Sequence, residues 1–452
     1  MKYAQVLDYL SRLEHLGIKF GLSNIRKLLN GIGISDKAFR IIHITGTNGK
    51  GSVAAFLSSI LKEAGFRVGL YTSPHLVDFR ERIQVDGKYI PKRTVAELFP
   101  RLLFFTKTPG LEPFLKPTYF EILTALALLY FSQADVQIAI LEVGMGGRLD
   151  ATNVFKHSLV SVVTNVDYEH MEYLGKKISD ISREKAGIIK RNGIVITGVK
   201  RRRALEVIEE ICRKKKARLF RLGRDIKVQY RNRRITSSDF CNFQTFNYHG
   251  IFSSIRNLRI KLLGRHQIEN AALALGAIDG LRLRGIQVAE NRLRNGLEKA
   301  TWPGRLEVLS CLNQRGENCR VVLDGAHNPA AMRCLKDAFM DGAIPHRRLI
   351  LVLGILKDKD VKKMVAEIAP LSQEVVVTMP NTERRLDKDL LRKEVMNYLP
   401  PGKVRTEENV EGALARALEI AHADDIVCVT GSLYTVGEAR STLKLWRNMV
   451  SE

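Results

Sequence analysis

The stretch His-Ile-Thr-Gly-Thr-Asn-Gly-Lys-Gly-Ser at residues 43–52 decides the fold of this chain. The apolar residues Ile41, Ile42 and Ile44 predict a buried strand, and the pattern at 53–64 predicts a helix directly after the loop. Three glycines between them allow backbone N–H groups to converge on an anion, and the helix N-terminus adds its positive end. The stretch therefore predicts a strand, a phosphate-binding loop and a helix.

Lys50 and Ser52 give this loop its nucleotide-binding character. The lysine ammonium would reach the terminal phosphates of ATP, and the serine supplies a hydroxyl. Gly51 separates the two, whereas the common P-loop pattern places lysine and hydroxyl side by side. A tight glycine turn that binds nothing is the alternative interpretation, but it does not explain a lysine and a hydroxyl at these positions.

Strand-like apolar runs alternate with helical patterns along the first half of the chain. The predicted strands are 41–45, 67–72, 136–142, 159–165 and 194–198, with a long apolar helix at 119–132. This alternation predicts an α/β fold with a mostly parallel sheet and helices on both faces. Ligands of such sheets bind at the carboxyl ends of the strands. The candidate residues at those ends are Thr45, Ser73, Glu142, Thr164 and Asn165.

A second, smaller α/β domain of Rossmann-like type is predicted after residue 300. A helical pattern at 266–299 closes the first half, and residues 301–304, Thr-Trp-Pro-Gly, interrupt it like a hinge. We therefore expect a P-loop domain at 1–300 and a second domain at 301–452. The second domain has predicted strands at 320–323, 348–353, 374–378 and 425–430. The basic stretch 224–262 predicts a small antiparallel excursion.

The formal net charge of +24 on 452 residues allows three interpretations. The chain could bind nucleic acid, attract small polyanionic substrates, or carry a basic surface without a specific partner. The densest runs, 201–203 and 214–216, belong to a pattern with apolar positions at helical spacing, which favours a solvated helix face. No recognised nucleic-acid motif accompanies them.

Several protein classes are excluded by composition. No apolar run approaches the roughly 20 residues that span a bilayer, and residues 1–5 lack a signal-peptide pattern. The six cysteines show neither a C-x-x-C pair nor zinc-finger spacing. We expect a cytoplasmic protein, a monomer, with no membrane or nucleic-acid partner.

Candidate metal ligands lie at separate strand ends. Ser73, Glu142 and His170 offer a hydroxyl, a carboxylate and an imidazole, and a few protein ligands suffice for Mg²⁺ because it keeps several waters. A lone histidine such as His170 is also a common surface or core residue. Lys185 lies in a helical pattern and would either face solvent or turn inward, which the sequence leaves open. Asn328 suits the cap of a helix that begins at Pro329.

These motifs together resemble the ATP-dependent Mur ligase superfamily and, within it, the folylpolyglutamate synthase and dihydrofolate synthase family. The matches run along almost the whole chain and are highly specific in combination. They are TGTNGKGS at 45–52, YTSPHL at 71–76, LEVGMGGRLDATN at 141–153, REKAG at 183–187, HQIEN at 266–270, WPGR at 302–305, LDGAHNP at 323–329 and GSLY at 431–434.

The resemblance implies a role for each matching position. The implied ATP-binding residues are Gly49, Lys50, Gly51, Ser52, Asn270, Arg305 and Asp324. The implied magnesium ligands are Ser73, Glu142, His170 and Lys185, the last after carbamylation to an anionic oxygen ligand. The implied catalytic residues are Lys50, Lys185 and His327. The implied pterin-substrate residues are Phe20, Gly21, Leu22, Ser23, Thr118, Tyr119, Phe120, Leu149, Asp150 and Ala151. Many relatives carry Asp-His where this chain has Glu169-His170.

The resemblance implies an ATP- and Mg²⁺-dependent ligase that joins L-glutamate to dihydropteroate, to the glutamate tail of tetrahydrofolate, or to both. ATP would activate the substrate carboxylate as an acyl phosphate, which the glutamate amine then attacks. A Mur-superfamily ligase acting on a cell-wall or polymer precursor is the nearest alternative. A nucleic-acid-dependent ATPase is a more distant one, because it leaves the motifs of the second domain unexplained.

Overall fold

The computed structural model describes the chain except for residues 15, 16, 18, 36, 108–115, 231–242, 314, 451 and 452, and except for the side chains of residues 14, 107 and 447–450. The described residues form two compact units. The first unit contains those of 1–230, 245–259 and 268–300. The second contains those of 243–244, 260–267 and 301–450.

The described residues contain 17 strands and 15 α-helices. The strands are β1 Arg40–Thr45, β2 Val68–Tyr71, β3 Ile83–Val85, β4 Lys88–Tyr89, β5 Ile138–Glu142, β6 Val160–Val163, β7 Ile194–Thr197, β8 Arg218–Arg221, β9 Lys227–Tyr230, β10 Gln244–His249, β11 Ser254–Ile260, β12 Glu307–Leu312, β13 Asn318–Leu323, β14 Leu349–Leu353, β15 Glu374–Val377, β16 Val404–Thr406 and β17 Ile426–Thr430. The helices are α1 Tyr3–Glu14, α2 Ser23–Gly31, α3 Lys50–Glu63, α4 Lys92–Lys107, α5 Tyr119–Gln133, α6 Met171–Leu174, α7 Ile178–Ala186, α8 Arg202–Lys214, α9 Arg265–Arg282, α10 Glu290–Lys299, α11 Pro329–Met340, α12 Val361–Ile368, α13 Lys388–Val395, α14 Val410–Ile420 and α15 Leu433–Val450.

The largest sheet confirms the predicted α/β class. Its strand order is β4-β3-β2-β5-β1-β6-β7-β8. All its pairs are parallel except β2–β3 and β3–β4. The central strands β1 and β5 are buried almost throughout, since helices cover both faces. The five strands predicted from the first half are all present. Strands β3, β4 and β8 were missed, because β3 and β4 are only three and two residues long and the edge strand β8 is partly exposed.

The sheet of the second unit has the order β12-β13-β17-β14-β15-β16. Only the β12–β13 pair is antiparallel. The four predicted strands of this half are present. Strands β12 and β16 at the two edges were missed, because they lack the continuous buried run of the central strands.

Two stretches contain more elements than the sequence predicted. The helical pattern at 266–299 is two helices, α9 and α10, separated by a connection in which Gly285 has a φ of 77°. The basic stretch 224–262 contains β9, β10 and β11 in one sheet, with β9 and β10 antiparallel. Residues 231–242 of that stretch, including Cys241, lie outside the described part.

Helix α8 begins within one basic run and ends within the other, and its exposed side agrees with the predicted solvated helix face. It buries Leu205 and Ile208, while Arg202 pairs with Glu206 and Lys214 with Glu210 on its exposed side. Among the described helices, none combines the length and apolarity needed to cross a membrane.

Candidate active site

The loop between β1 and α3 is held in a conformation that requires glycine. Gly46 and Gly49 have φ values of 147° and 86°. A Cβ atom at Gly46 would lie 1.9 Å from Thr164 Oγ1, and one at Gly49 would lie 2.4 Å from Asn270 Oδ1. The predicted loop therefore lies against the end of β6 on one side and against α9 on the other.

Side chains that follow β6 fix the loop backbone. Thr164 Oγ1 donates to Asn48 O at 2.6 Å, and Asn48 N donates to Asn165 Oδ1 at 2.8 Å. Asp167 N donates to Thr47 Oγ1 at 3.0 Å. These bonds preorganise the loop, so that a bound anion would not have to order it.

Lys50 is the first residue of α3, and its ammonium lies over the loop. Its Nζ donates to Gly46 O at 2.8 Å and to Thr47 O at 3.0 Å. Ser52 is buried two residues further along. The structure thus places Lys50 and the N-terminus of a 14-residue helix at one point, which is an arrangement suited to phosphate.

Ser73 and Glu142 meet beyond the ends of neighbouring strands β2 and β5. Ser73 N donates to Glu142 Oε2 at 3.2 Å, and Glu142 is only 4% exposed. In the part of the chain that the structure describes, no three His, Cys, Asp or Glu side chains are placed to hold a metal ion. A hydroxyl and one carboxylate nevertheless suit Mg²⁺, whose other ligands are commonly water and phosphate.

His170 lies on the connection after β6 and has an exposed side chain. Its φ of 46° places it in the left-handed region directly before α6. The structure brings Ser73 together with Glu142. It places His170 beside Glu169, which lies close to Lys185.

Lys185 faces the interior, which settles the question that the sequence left open. Its side chain is 1% exposed, and Nζ forms an ion pair with Glu169 Oε1. Burial, reinforced by the charge of Lys50 and opposed by that of Glu169, lowers the pKa of Lys185 to about 8. Burial alone would raise the pKa of Glu169, but the charges of Lys185 and Lys50 bring it down to about 2.

Asp150 organises the loop that follows β5. Its carboxylate accepts from Gly144 N and Met145 N, both at 3.0 Å, and from Thr152 N at 2.9 Å. Burial raises the pKa of Asp150. The predicted substrate residues Leu149 and Ala151 flank this carboxylate, so their position depends on it.

The predicted pterin-substrate residues 118–120 lie at the start of helix α5. Thr118 caps the helix: its Oγ1 accepts from Glu121 N at 3.2 Å, and the Glu121 carboxylate accepts from Thr118 N at 2.8 Å. The Phe120 ring centroid lies 5.8 Å from that of Tyr71. The guanidinium of Arg82 lies 5.4 Å from the centroid of the Tyr119 ring.

The predicted pterin-substrate residues 20–23 lead into helix α2. Ser23 is the first residue of α2, and Gly21 has a φ of 149°. Phe20 is 43% exposed, and its ring centroid lies 5.9 Å from that of Tyr173. An aromatic surface is therefore present where the sequence predicts a flat substrate.

Arg305 and Asp324 lie close together in the second unit. Asp324 accepts from Leu306 N at 2.9 Å and from Ala326 N at 3.0 Å. Burial raises the pKa of Asp324 despite the nearby charge of Arg305. His327 Nδ1 lies 2.9 Å from Gly325 O, and Asn328 caps α11 by accepting from Ala331 N at 2.9 Å. Asn270 belongs to the first unit, against Gly49.

Two family models match the chain. The Mur ligase middle domain matches residues 44–278, and the Mur ligase, glutamate ligase domain matches residues 304–433. A curated relative from Bacillus subtilis, dihydrofolate synthase/folylpolyglutamate synthase, is 34% identical over 95% of this chain and 96% of its own length. The chain belongs to this family of Mur ligases.

Other relatives of the family extend further than this chain. The probable bifunctional folylpolyglutamate synthase/dihydropteroate synthase of Haloferax volcanii is 36% identical over 98% of this chain, which spans 50% of that relative.

A solved structure of Escherichia coli FolC in complex with DHPP and ADP has a TM-score of 0.86 and 30% identity, covering 99% of both chains. The α/β folds predicted for both halves agree with this Mur ligase architecture.

The sequence predicted no role for Glu169 of this Mur ligase. Many relatives have aspartate at this position, so the motif gave no basis for assigning the glutamate a role. In the structure, Glu169 forms the ion pair with the buried Lys185. The two lie 16 residues apart on different elements. Their contact depends on the packing of α7 against the connection after β6, for which the sequence carries no local signal.

Replacing Gly49 with alanine should weaken ADP and ATP binding. The new Cβ would collide with Asn270 Oδ1 in the loop that carries Lys50. Gly65→Ala is a matched control, because Gly65 has a similar φ of 88° with nothing within 4 Å. Both variants should lose about 1–2 kcal/mol of unfolding free energy from left-handed strain, and Gly49→Ala should lose more because of its collision with Asn270. Calorimetric titration with ADP should separate them, and equal affinities would refute the proposed role of the loop.

In protein whose Lys185 is not carbamylated, replacing Glu169 with alanine should destabilise the fold by about 3–5 kcal/mol, since it leaves a buried ammonium without its carboxylate. Glu206→Ala is the control, because it breaks the exposed pair with Arg202 and should cost at most about 1 kcal/mol. Urea unfolding of both variants measures the difference. A loss no larger than that of the control would mean that the Lys185 ion pair contributes little.

Proposed function

We propose that this chain is an ATP-dependent ligase that forms an amide bond between L-glutamate and a pterin-containing acid. The acid would be dihydropteroate, the glutamate tail of tetrahydrofolate, or both. The observation that carries the proposal is the convergence at one sheet edge of the Lys50 loop with Ser73 and the buried Glu142, because β1 pairs with β5 and Ser73 N donates to Glu142. Family membership adds the expectation of glutamate as the second substrate.

The proposed reaction needs little side-chain nucleophilicity. The substrate carboxylate attacks the γ-phosphate of ATP, which releases ADP and leaves an acyl phosphate. The α-amine of glutamate attacks the activated carbonyl, and the tetrahedral intermediate collapses to an amide and inorganic phosphate. Catalysis then depends on positioning and charge stabilisation.

Within the first unit, each side chain has a proposed task. The Lys50 ammonium would move from the carbonyls of Gly46 and Thr47 to the transferred phosphate. Ser73 and Glu142, with His170, would hold Mg²⁺, which when bound neutralises phosphate charge. Asn270 would contact the nucleotide from its position against Gly49.

Carbamylation of Lys185 forms part of the proposal. The reaction with CO₂ requires a neutral amine, and the lowered pKa of Lys185 increases the neutral fraction at neutral pH. The carbamate would be an additional oxygen ligand for Mg²⁺. It would also end the ion pair with Glu169, because both groups would then be anionic.

The pterin acid is proposed to lie near Phe20, Tyr119 and Phe120, whose rings could stack on its flat bicycle. Asp150 would act by holding Leu149 and Ala151 in place. In the second unit, Arg305 and Asp324 remain predicted nucleotide contacts, and His327 remains a predicted catalytic residue. The division into domains at 1–300 and 301–452, a monomeric state, and a cytoplasmic location are likewise proposed.

One assay tests this function directly. Labelled glutamate and MgATP are supplied with dihydropteroate, with tetrahydrofolate, and with a muramyl precursor in separate reactions. We expect labelled product only with one or both pterin acids, and release of phosphate that matches product. Incorporation into the muramyl precursor alone would favour another Mur ligase activity. Phosphate release that depends on nucleic acid and not on glutamate would overturn the ligase assignment.

A further inference from the structure

Two cysteines face each other across the antiparallel pair at the edge of the second sheet. The register of β12 and β13 places Cys311 directly opposite Cys319. Residues directly opposite on antiparallel strands project to the same face of the sheet. Both side chains are thiols in the structure. Neither has a part in the proposed ligase reaction.

We propose that Cys311 and Cys319 are a redox-sensitive modification site, at which a small-molecule disulfide converts the two thiols into a cross-strand disulfide. This inference is independent of the proposed function. It follows from the register of two strands and from the position of their thiols.

The backbone geometry permits the bond and makes it reversible. Asn313 N donates to Glu317 O at 2.9 Å, two pairs further towards the turn than Cys311 and Cys319. Hydrogen-bonded pairs alternate along an antiparallel ladder, so that Cys311 and Cys319 also form a hydrogen-bonded pair, with Cα atoms about 5.5 Å apart. That separation suits a disulfide, but the Cβ atoms must approach by about 1 Å. The resulting strain makes the bond easy to reduce.

The position of β12 allows this approach. Among the described strands it lies at the edge of the sheet and pairs only with β13, so it can shift without breaking a second ladder. The pair is unequal in exposure: Cys311 is half-buried, whereas Cys319 is 1% exposed, with Sγ 3.6 Å from His422 O. Burial also raises the pKa of Cys319. Cys311 is therefore the thiol that meets an external oxidant first.

The exchange balances with oxidised glutathione as the oxidant. The Cys311 thiolate attacks one sulfur of the glutathione disulfide, which forms a mixed disulfide and releases one glutathione thiolate. The Cys319 thiolate then attacks the Cys311 sulfur and releases the second glutathione as a thiolate. The two protein thiols lose two electrons and their protons, and one glutathione disulfide gains them.

The end of the β12–β13 pair away from the turn is already held by hydrogen bonds next to two predicted site residues. Leu306 N donates to Asp324 Oδ2 at 2.9 Å, and Gly325 N donates to Gly304 O at 2.9 Å. These bonds join the two strands where they carry Arg305 and Asp324. A disulfide near the turn would fasten the same two strands at their other end.

Trypsin provides a direct test, because it cleaves after Arg315 and separates the two cysteines. The folded full-length protein is incubated with oxidised glutathione, alkylated, digested without reduction and analysed by mass spectrometry. We expect peptide 306–315 linked to peptide 316–320, and loss of the link after dithiothreitol. Cys311→Ser should abolish the link, whereas Cys334→Ser, which removes a half-buried cysteine elsewhere, should retain it.

Thermal unfolding gives a second measurement that does not depend on digestion. The oxidised and reduced proteins should unfold at different midpoint temperatures, because the cross-link constrains the unfolded chain and strains the hairpin, and Cys311→Ser should show no such difference. The proposal is overturned if oxidised wild-type protein yields the two peptides separately, each alkylated or carrying glutathione. It is also overturned if the link forms only in urea.

Discussion

Replacing Lys50 with alanine should abolish ATP-dependent incorporation of glutamate while leaving the fold intact. The Lys50 ammonium donates to two neutral loop carbonyls, Gly46 O and Thr47 O, so its removal breaks no ion pair among the residues that the structure describes. Removing one preorganised charge-stabilising donor typically costs about 100- to 1,000-fold in rate. We therefore expect turnover to fall by at least that factor.

The control for Lys50 lies on the same helix. Lys62 is in the last turn of α3 and is exposed, so Lys62→Ala removes an identical charge far from the loop. It should keep near-normal turnover, and both variants should match the parent in circular dichroism and in unfolding midpoint. Near-normal turnover by Lys50→Ala would show that the loop assignment is wrong.

Replacing Lys185 with alanine should remove activity that short carboxylates partly restore. A carbamate supplies an anionic oxygen ligand, and acetate or formate could occupy the space that the shortened side chain leaves. Lys185→Met is the matched variant, because it fills that space and should not respond to added carboxylate. Turnover measured against acetate concentration in both variants distinguishes chemical rescue from a general salt effect.

The stability of these variants needs its own measurement. Relative to parent protein whose Lys185 is not carbamylated, either substitution leaves the buried Glu169 carboxylate without its cation, which costs about 3–5 kcal/mol. Urea unfolding shows whether each variant is folded under assay conditions, and Lys176→Ala, at an exposed lysine before α7, gives the baseline. A folded Lys185→Ala protein with full activity would reduce Lys185 to a structural role.

Much of the fold was predictable because its central strands are buried on both faces. Such strands appear in sequence as short continuous apolar runs, as in β1 and β5. The glycines at 46 and 49 were informative for a different reason, because glycine is the residue that accepts their φ values and close contacts. Edge strands β12 and β16 were missed because partial exposure permits polar residues that break the run.

The sequence predicted which residues lie at the site better than it predicted the hydrogen bonds that those residues form. Lys50, Ser73 and Glu142 follow predicted strands, so their convergence at one sheet edge could be expected. That Thr118 caps α5 was readable from Glu121 three residues later. That Asp150 accepts from three backbone N–H groups was not readable, because those groups converge only when the loop at 144–152 closes on itself.

The sequence by itself determined the phosphate-binding loop, the α/β class and the family, because these depend on local residue patterns and on the order of motifs. Only the tertiary structure decided that Lys185 faces inward onto Glu169 and that Cys311 faces Cys319. A helical pattern does not say which face of α7 is buried at Lys185, and strand spacing does not fix the register of an edge pair. Both depend on packing and pairing between segments that are separate in the chain.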